Sequence, residues 1–103
     1  MPKLNFVLTK QAEQDIQDIW RYIARDNIIA AEKVADDFED AFVKLAQTPH
    51  IGVKRKDLIK ENHLRLWLVH NYYIIYNPEE TQLQILRIIS CYRNVENVMD
   101  KNN

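Results

Sequence analysis

Apolar and polar residues change their period twice along the chain, and those changes mark out its elements. Leu4, Phe6 and Leu8 alternate with Lys3, Asn5 and Thr9, interrupted only by Val7, which predicts a short strand with one buried face. Thr9 is placed to cap a helix. In that helix Ala12, Ile16, Ile19, Trp20 and Ile23 fall on one face, while Glu13, Asp15, Asp18 and Arg25 are expected to point away from it. Asp26-Asn27 breaks the pattern and offers a second cap. A longer helix follows over residues 29–47, with Ala31, Val34, Ala35, Phe38, Ala41, Phe42 and Leu45 spaced by three and four and Pro49 just past its end. Two helices joined so closely should pair antiparallel and share one apolar seam.

Residues 50–63 contain Gly52, the chain's only glycine, and a run of basic residues, so they read as a loop crossing the molecule. Then the period becomes two. Leu64, Leu66 and Leu68 alternate with Arg65, Trp67 and Val69 as a strand; His70-Asn71 makes a tight turn, residues 72–76 a second strand, residues 77–81 a polar turn and Leu83–Ser90 a third strand. The meander needs a cover and the helical hairpin needs a surface. The expected fold is α+β and two-layered: an N-terminal strand and an antiparallel helical hairpin packed on a C-terminal antiparallel three-stranded meander, in the order β-α-α-β-β-β. Residues 1–99 form the single expected domain, with a short turn around Val95 and Met99, and residues 100–103 are expected to fray.

Composition narrows the function. At 103 residues and 47 % hydrophobic content there is material for one modest core. No apolar run approaches the roughly 20 residues of a membrane span, and the first residues lack a signal peptide's apolar segment, so a cytoplasmic location and no membrane role are expected. Cys91 stands alone, which agrees with a reducing compartment and gives no cysteine-rich metal site. His50, His63 and His70 lack paired zinc-ligand spacing, and one glycine cannot build a phosphate loop, so no metal or cofactor is expected. The net charge of −1 divides unevenly: residues 1–48 carry six Lys/Arg against nine Asp/Glu, residues 49–103 eight against six. Lys54, Arg55, Lys56, Lys60 and Arg65 make a local basic patch, too weak an excess for sequence-specific binding of nucleic acid unaided.

The details of these elements resemble a known group. Leu8-Thr9-Lys10-Gln11-Ala12-Glu13-Gln14-Asp15-Ile16, followed by Asp18-Ile19-Trp20-Arg21-Tyr22-Ile23, is similar to the opening of ParE proteins, where an Ala, an acidic residue and an aromatic recur at these spacings. Leu45-Ala46-Gln47-Thr48-Pro49-His50-Ile51-Gly52 is similar to that family's pattern of Leu, Pro and Gly. Leu64-Arg65-Leu66-Trp67, Tyr72-Tyr73-Ile74-Ile75-Tyr76 and Ile85-Leu86-Arg87-Ile88-Ile89, with Arg93 beyond, continue the likeness over nearly the whole chain. The chain thus resembles the RelE/ParE superfamily of bacterial toxins.

The resemblance implies a type II toxin–antitoxin module, in which a ParD-like antitoxin, with a ribbon-helix-helix domain and a partly disordered C-terminal segment, neutralises the toxin. RelE-like members cut mRNA on the ribosome; ParE-like members poison DNA gyrase. Cleavage needs a general base, a general acid and cations around the phosphorane. Lys54, Lys56, Arg65, Arg87 and Arg93 would supply the cations, but the family's terminal acid/base position falls near Val98 or Met99, and neither can move a proton. No spacing rule puts Tyr92 or His63 in that role. The resemblance therefore favours binding of gyrase without turnover, with bacterial growth arrest as its consequence and Arg87, Tyr92, Arg93 and Met99 as target contacts. An mRNA endoribonuclease and a non-toxic binding module of the same fold stay open as alternatives.

An antitoxin would cover the apolar hairpin groove and reach a sheet edge, both liabilities in a monomer. Trp20, Ile23, Phe38 and Trp67 are its expected contacts. The same residues have simpler uses: Trp20, Phe38 and Phe42 by spacing belong to the core, Tyr72, Tyr73 and Tyr76 fill a sheet face, and Arg87, inside an apolar strand, has an outward-facing or internally paired position as an equal alternative.

Overall fold

The computed structural model describes residues 6–78, 81–93, 95 and 99. Its elements are β1 (Phe6–Leu8), α1 (Lys10–Ala24), α2 (Ile28–Gln47), β2 (Arg65–Val69), β3 (Tyr72–Asn77) and β4 (Leu83–Ser90), in the β-α-α-β-β-β order expected of an α+β chain. Both predicted caps form. The Thr9 side chain accepts from the Ala12 N–H at 3.1 Å and that of Asn27 from the Ala30 N–H at 3.0 Å, each satisfying one of the donors a helix start leaves unpaired. The Thr48 N–H donates to Lys44 O at the far end of α2, just before Pro49, where a further turn has no proline N–H to use.

The meander runs β2-β3-β4 with antiparallel pairing, turned between β2 and β3 by His70-Asn71. His70 takes a positive φ of 53°, as tight two-residue hairpins require, and its Nε2 lies 2.7 Å from an Asp37 carboxylate oxygen, tying the turn to α2. The sheet is larger than the meander. β1 joins it as a fourth strand beside β4, parallel, with Phe6 opposite Leu83 and Leu8 opposite Ile85, giving the order β1-β4-β3-β2. The neighbour of a three-residue strand cannot be read from its own alternation, so this pairing was out of reach of the pattern alone.

The sheet is covered on both faces. On one, Ala12, Phe38, Ala41, Phe42 and Leu45 from the helices meet Ile74, Tyr76, Ile85 and Ile88. On the other, Leu58, Ile59 and Leu64 from the long connection, with Val95 and Met99, cover Leu66, Ile75 and Ile89. The crossing loop thus adds a partial third layer to the expected two. Each aliphatic side chain buried this way contributes about 1.5–3 kcal/mol. Regular alternation would send Ile85 and Ile88 to opposite faces; a bulge corrects this. Tyr76 pairs with Ile85 and Ile75 with Arg87, so Leu86 is an extra residue and shifts the phase of all that follows.

The expected tail at residues 100–103 and the candidate position Val98 lie outside the described residues, as do Leu4 and part of the 77–81 turn. Val95 and Met99 are both helical, and Val95 is buried. Among the described residues no helix is long and apolar enough to cross a membrane, and no group of His, Cys, Asp and Glu is placed to hold a metal ion.

Candidate functional site

Three polar constructions surround the sheet. The first closes the Pro49–Gly52 turn. The buried Tyr76 hydroxyl donates to Pro49 O and accepts from the Gly52 N–H, both at 2.8 Å, and Arg65 Nη1 donates to Gly52 O at 2.8 Å. Gly52 is required here for space: a Cβ would press on Tyr76 Oη and come within 2.7–2.8 Å of two of its ring carbons. The Leu, Pro, Gly pattern thus folds around a tyrosine hydroxyl 24 residues downstream of the glycine. Burial pushes the Tyr76 phenol above its ordinary range, against the pull of the Gly52 N–H and the Arg65 charge. Arg65, offered by sequence as a ribonuclease cation, is thereby committed to a backbone carbonyl.

The second joins α1 to β4. Asp15 accepts from Arg87 Nε at 2.8 Å and Nη2 at 3.0 Å, and from the Ile88 N–H at 2.9 Å. Both side chains are only 12 % exposed. This corrects the expectation that Asp15 points away from the sheet. Of the uses open to Arg87 the structure shows the internal pair, its pKa raised first by the hydrogen bonds to Asp15. The signal was present: Ala12, Asp15, Ile16 and Ile19 form one helical stripe, and Arg87 is a lone charge in an apolar strand, so each called for the other.

The third is open. Past β4 the chain turns: the Cys91 N–H donates to Asn71 O at 2.7 Å, the Tyr92 N–H to Ser90 Oγ at 3.3 Å and the Arg93 N–H to Ser90 O at 3.0 Å. Between this turn and the C-terminal half of α1 lies a cleft of about 590 Å³, lined by Asp18, Tyr22, Tyr72, Ser90, Tyr92 and Arg93 among others. Tyr22 is 68 % and Tyr92 82 % exposed, and Arg93 is exposed beside them. Tyr72 closes the inner end, its phenol pushed up by burial and, secondarily, by Tyr22. Two of the predicted target contacts, Tyr92 and Arg93, thus stand together; Met99 is instead packed, half-buried, on the opposite sheet face from the helices. Tyr22 and Tyr72 were not singled out as site residues, since each fits a helix or a sheet face equally well.

The remaining candidates scatter. Lys54 and Lys56 are exposed on the loop, while the neighbouring Arg55 is clasped by Asp57 at 2.9 and 2.7 Å, which raises its pKa. Trp20 lines a shallow groove of about 330 Å³ with Ile16, Gln17 and Arg21. A second groove of the same size, reaching β1, shares Ile16 with it and is lined by Phe6, Leu8, Ala35 and Phe42. Ile23 is half-buried, and Trp67 is half-buried with Lys44 Nζ 5.2 Å from its ring centre. Phe38 is 1 % exposed, a floor of the second groove and a core residue with almost no free surface for a partner.

Residues 6–95 match the sequence profile of the ParE toxin of type II toxin–antitoxin systems, parDE. The chain belongs to the ParE toxin family. Among solved structures, a chain of the chromosomal ParDE toxin–antitoxin system from P. aeruginosa is similar to it, with a TM-score of 0.69 at 20 % identity over 84 % of this chain and 95 % of that one. At that identity the likeness speaks for the fold. No curated protein matches the sequence. ParE-family membership covers the helical hairpin, the meander and the cleft, since each of these lies within the matched span.

Proposed function

We propose that this ParE-family protein is a toxin that acts in the cytoplasm by binding DNA gyrase through the face formed by Tyr22, Tyr92 and Arg93, without turning over a substrate. The observation that supports this most is the contrast among the cations. Of the five cations RNA cleavage would draw on, Arg65 and Arg87 donate to Gly52 O and to Asp15, while Lys54 and Lys56 stay exposed on the loop. Tyr92 and Arg93 stand exposed at an open cleft, the residue types that dominate protein interfaces when buried by a partner.

Purified protein should trap gyrase-dependent DNA cleavage complexes and leave an in vitro translation reaction running. Translation arrest with gyrase untouched would instead mark a ribosome-dependent ribonuclease, and growth without arrest on overexpression a non-toxic binding module.

A cognate antitoxin completes the reading. The two grooves that meet at Ile16 present Trp20, Phe6 and Leu8 beside the outer edge of β1, a combination suited to a partly disordered segment that folds as it binds. The antitoxin is read as ParD-like, with a ribbon-helix-helix domain. Amide exchange should slow in β1 and on the groove side of α1 and α2 when it is added; unchanged exchange in both regions would contradict this placement.

A further inference from the structure

The end of β4 is held on its outer side by a helix and not by a strand. Among the described residues β1 pairs with 83–85, and residues 86–90 have no strand neighbour on that side. Two side chains take over the ladder. Thr9 Oγ1 donates to Leu86 O at 2.8 Å, continuing the bond from the Thr9 N–H to Ile85 O. Two helical turns later the Asp15 carboxylate accepts from the Ile88 N–H and, with both oxygens, from the Arg87 guanidinium. Three donors from two consecutive residues converge on one carboxylate, in a setting where each bond is stronger than in water.

The bulge makes this convergence possible. Because Leu86 is an extra residue, Ile88 returns to the helix face while Arg87 reaches the edge beside α1. Asp15 also has a fixed relation to the cleft. Asp18 and Tyr22 follow it on α1 by three and seven residues and form one wall, while Ser90, Tyr92 and Arg93 follow Ile88 and form the other. One carboxylate therefore ties the helix that forms one wall to the strand that leads into the other.

We infer that Asp15 is a positioning residue for the Tyr92–Arg93 face: it holds the last strand where β1 stops and so sets the direction in which the chain leaves β4. The inference rests on the reading of that face as the toxic surface. The raised pKa of Arg87 agrees with a tight pair.

The test uses the full chain and two readouts, amide exchange and growth arrest on induction, neither of which presupposes the target. Asp15→Asn keeps the size of the side chain and removes its charge. Exchange at Ile88 should accelerate by at least roughly tenfold while Ile74 and Ile75 keep their protection, and growth arrest should be lost. Asp15→Glu should restore part of both. Arg87→Lys, which leaves the bond from the Ile88 N–H to Asp15 in place, should give a smaller acceleration. Acceleration at Ile74 and Ile75 equal to that at Ile88 would make Asp15 a general stabiliser and overturn the inference. Full growth arrest alongside fast exchange at Ile88 would overturn it as well. Arrest by the unaltered chain with gyrase untouched would remove the gyrase reading and leave the Asp15 result standing; no arrest by the unaltered chain would remove both.

Discussion

The Pro49–Gly52 turn and the exit from β4 lie at different parts of the sheet and contain similar residues, a tyrosine with an arginine nearby in each, yet they use them in opposite ways. At the turn, Tyr76 is fully buried and both its hydrogen bonds go to backbone, while Arg65 closes on Gly52 O. At the exit, Tyr92 is 82 % exposed and Arg93 faces solvent beside it. A buried polar group that finds its partners is spent on the fold, and removing it leaves those partners unsatisfied. An exposed aromatic next to an exposed cation leaves its interaction energy available to another molecule. Residue type alone does not separate the two uses; the destination of the hydrogen bonds does.

The comparison can be broken most directly at Gly52. Gly52→Ala drives a methyl group into the Tyr76 ring and its hydroxyl, which are held on both sides and have nowhere to retreat. The chain should lose about 3 kcal/mol of stability in urea denaturation, the upper range for overpacking. A loss under about 1 kcal/mol would show that the turn yields easily and is no clamp. Tyr76→Phe is the gentler break. It leaves the ring in the core and orphans the Gly52 N–H and Pro49 C=O, costing about 2 kcal/mol. Its thermal melting point should fall, and exchange at Gly52 should rise ahead of exchange at Ile74.

Much of this fold was legible because its signals are local. Thr9 and Asn27 cap helices by side-chain chemistry that needs no tertiary context, and the period of two over residues 64–69 and 83–85 is visible by eye. What escaped was non-local. The parallel pairing of β1 with β4 joins residues 77 apart, and the hydroxyl of Tyr76 meets a turn 24 residues earlier. Charge alone sends Asp15 to solvent, whereas its position in the Ala12, Ile16, Ile19 stripe sends it to the sheet, and the stripe wins because Arg87 and the Ile88 N–H meet it there. For the site, the Tyr92–Arg93 region was found through family resemblance, while its helical wall, Asp18 and Tyr22, came only from the folded geometry.

A smaller effect concerns the other turn of the meander. The hydrogen bonds from Lys33, and after them the one to His70, hold the Asp37 carboxyl below its ordinary range. A carboxyl whose folded pKa is depressed stabilises the chain above its unfolded pKa, near 4, and loses that contribution as pH falls toward the lower folded value. Stability at neutral pH therefore includes the tie between α2 and the His70 turn, and acid removes it. Asp37→Asn should flatten the part of the acid limb below about pH 4. An acid limb of unchanged shape would show that the exposed pair is screened and contributes nothing.

The smallest effect on stability is expected at the open end, and it is the most informative one. Tyr92 and Arg93 make few demands on the core, so Tyr92→Ala and Arg93→Ala should each shift unfolding by no more than about 0.5 kcal/mol. If their interaction energy is reserved for a target, each should nevertheless weaken gyrase-dependent cleavage-complex formation by roughly tenfold or more, as truncation of a central aromatic or arginine anchor does. Gly52→Ala should show the reverse profile when assayed well below its melting point, with a large loss of stability and a cleft still able to act. Should Tyr92→Ala instead unfold the chain, the exposed ring would have to be doing structural work that neither its burial nor its hydrogen bonds reveal, and the division between the two regions would collapse. Should it leave both stability and activity untouched, the cleft at the end of β4 would lose its claim, and the grooves beside Ile16 would become the surface to examine.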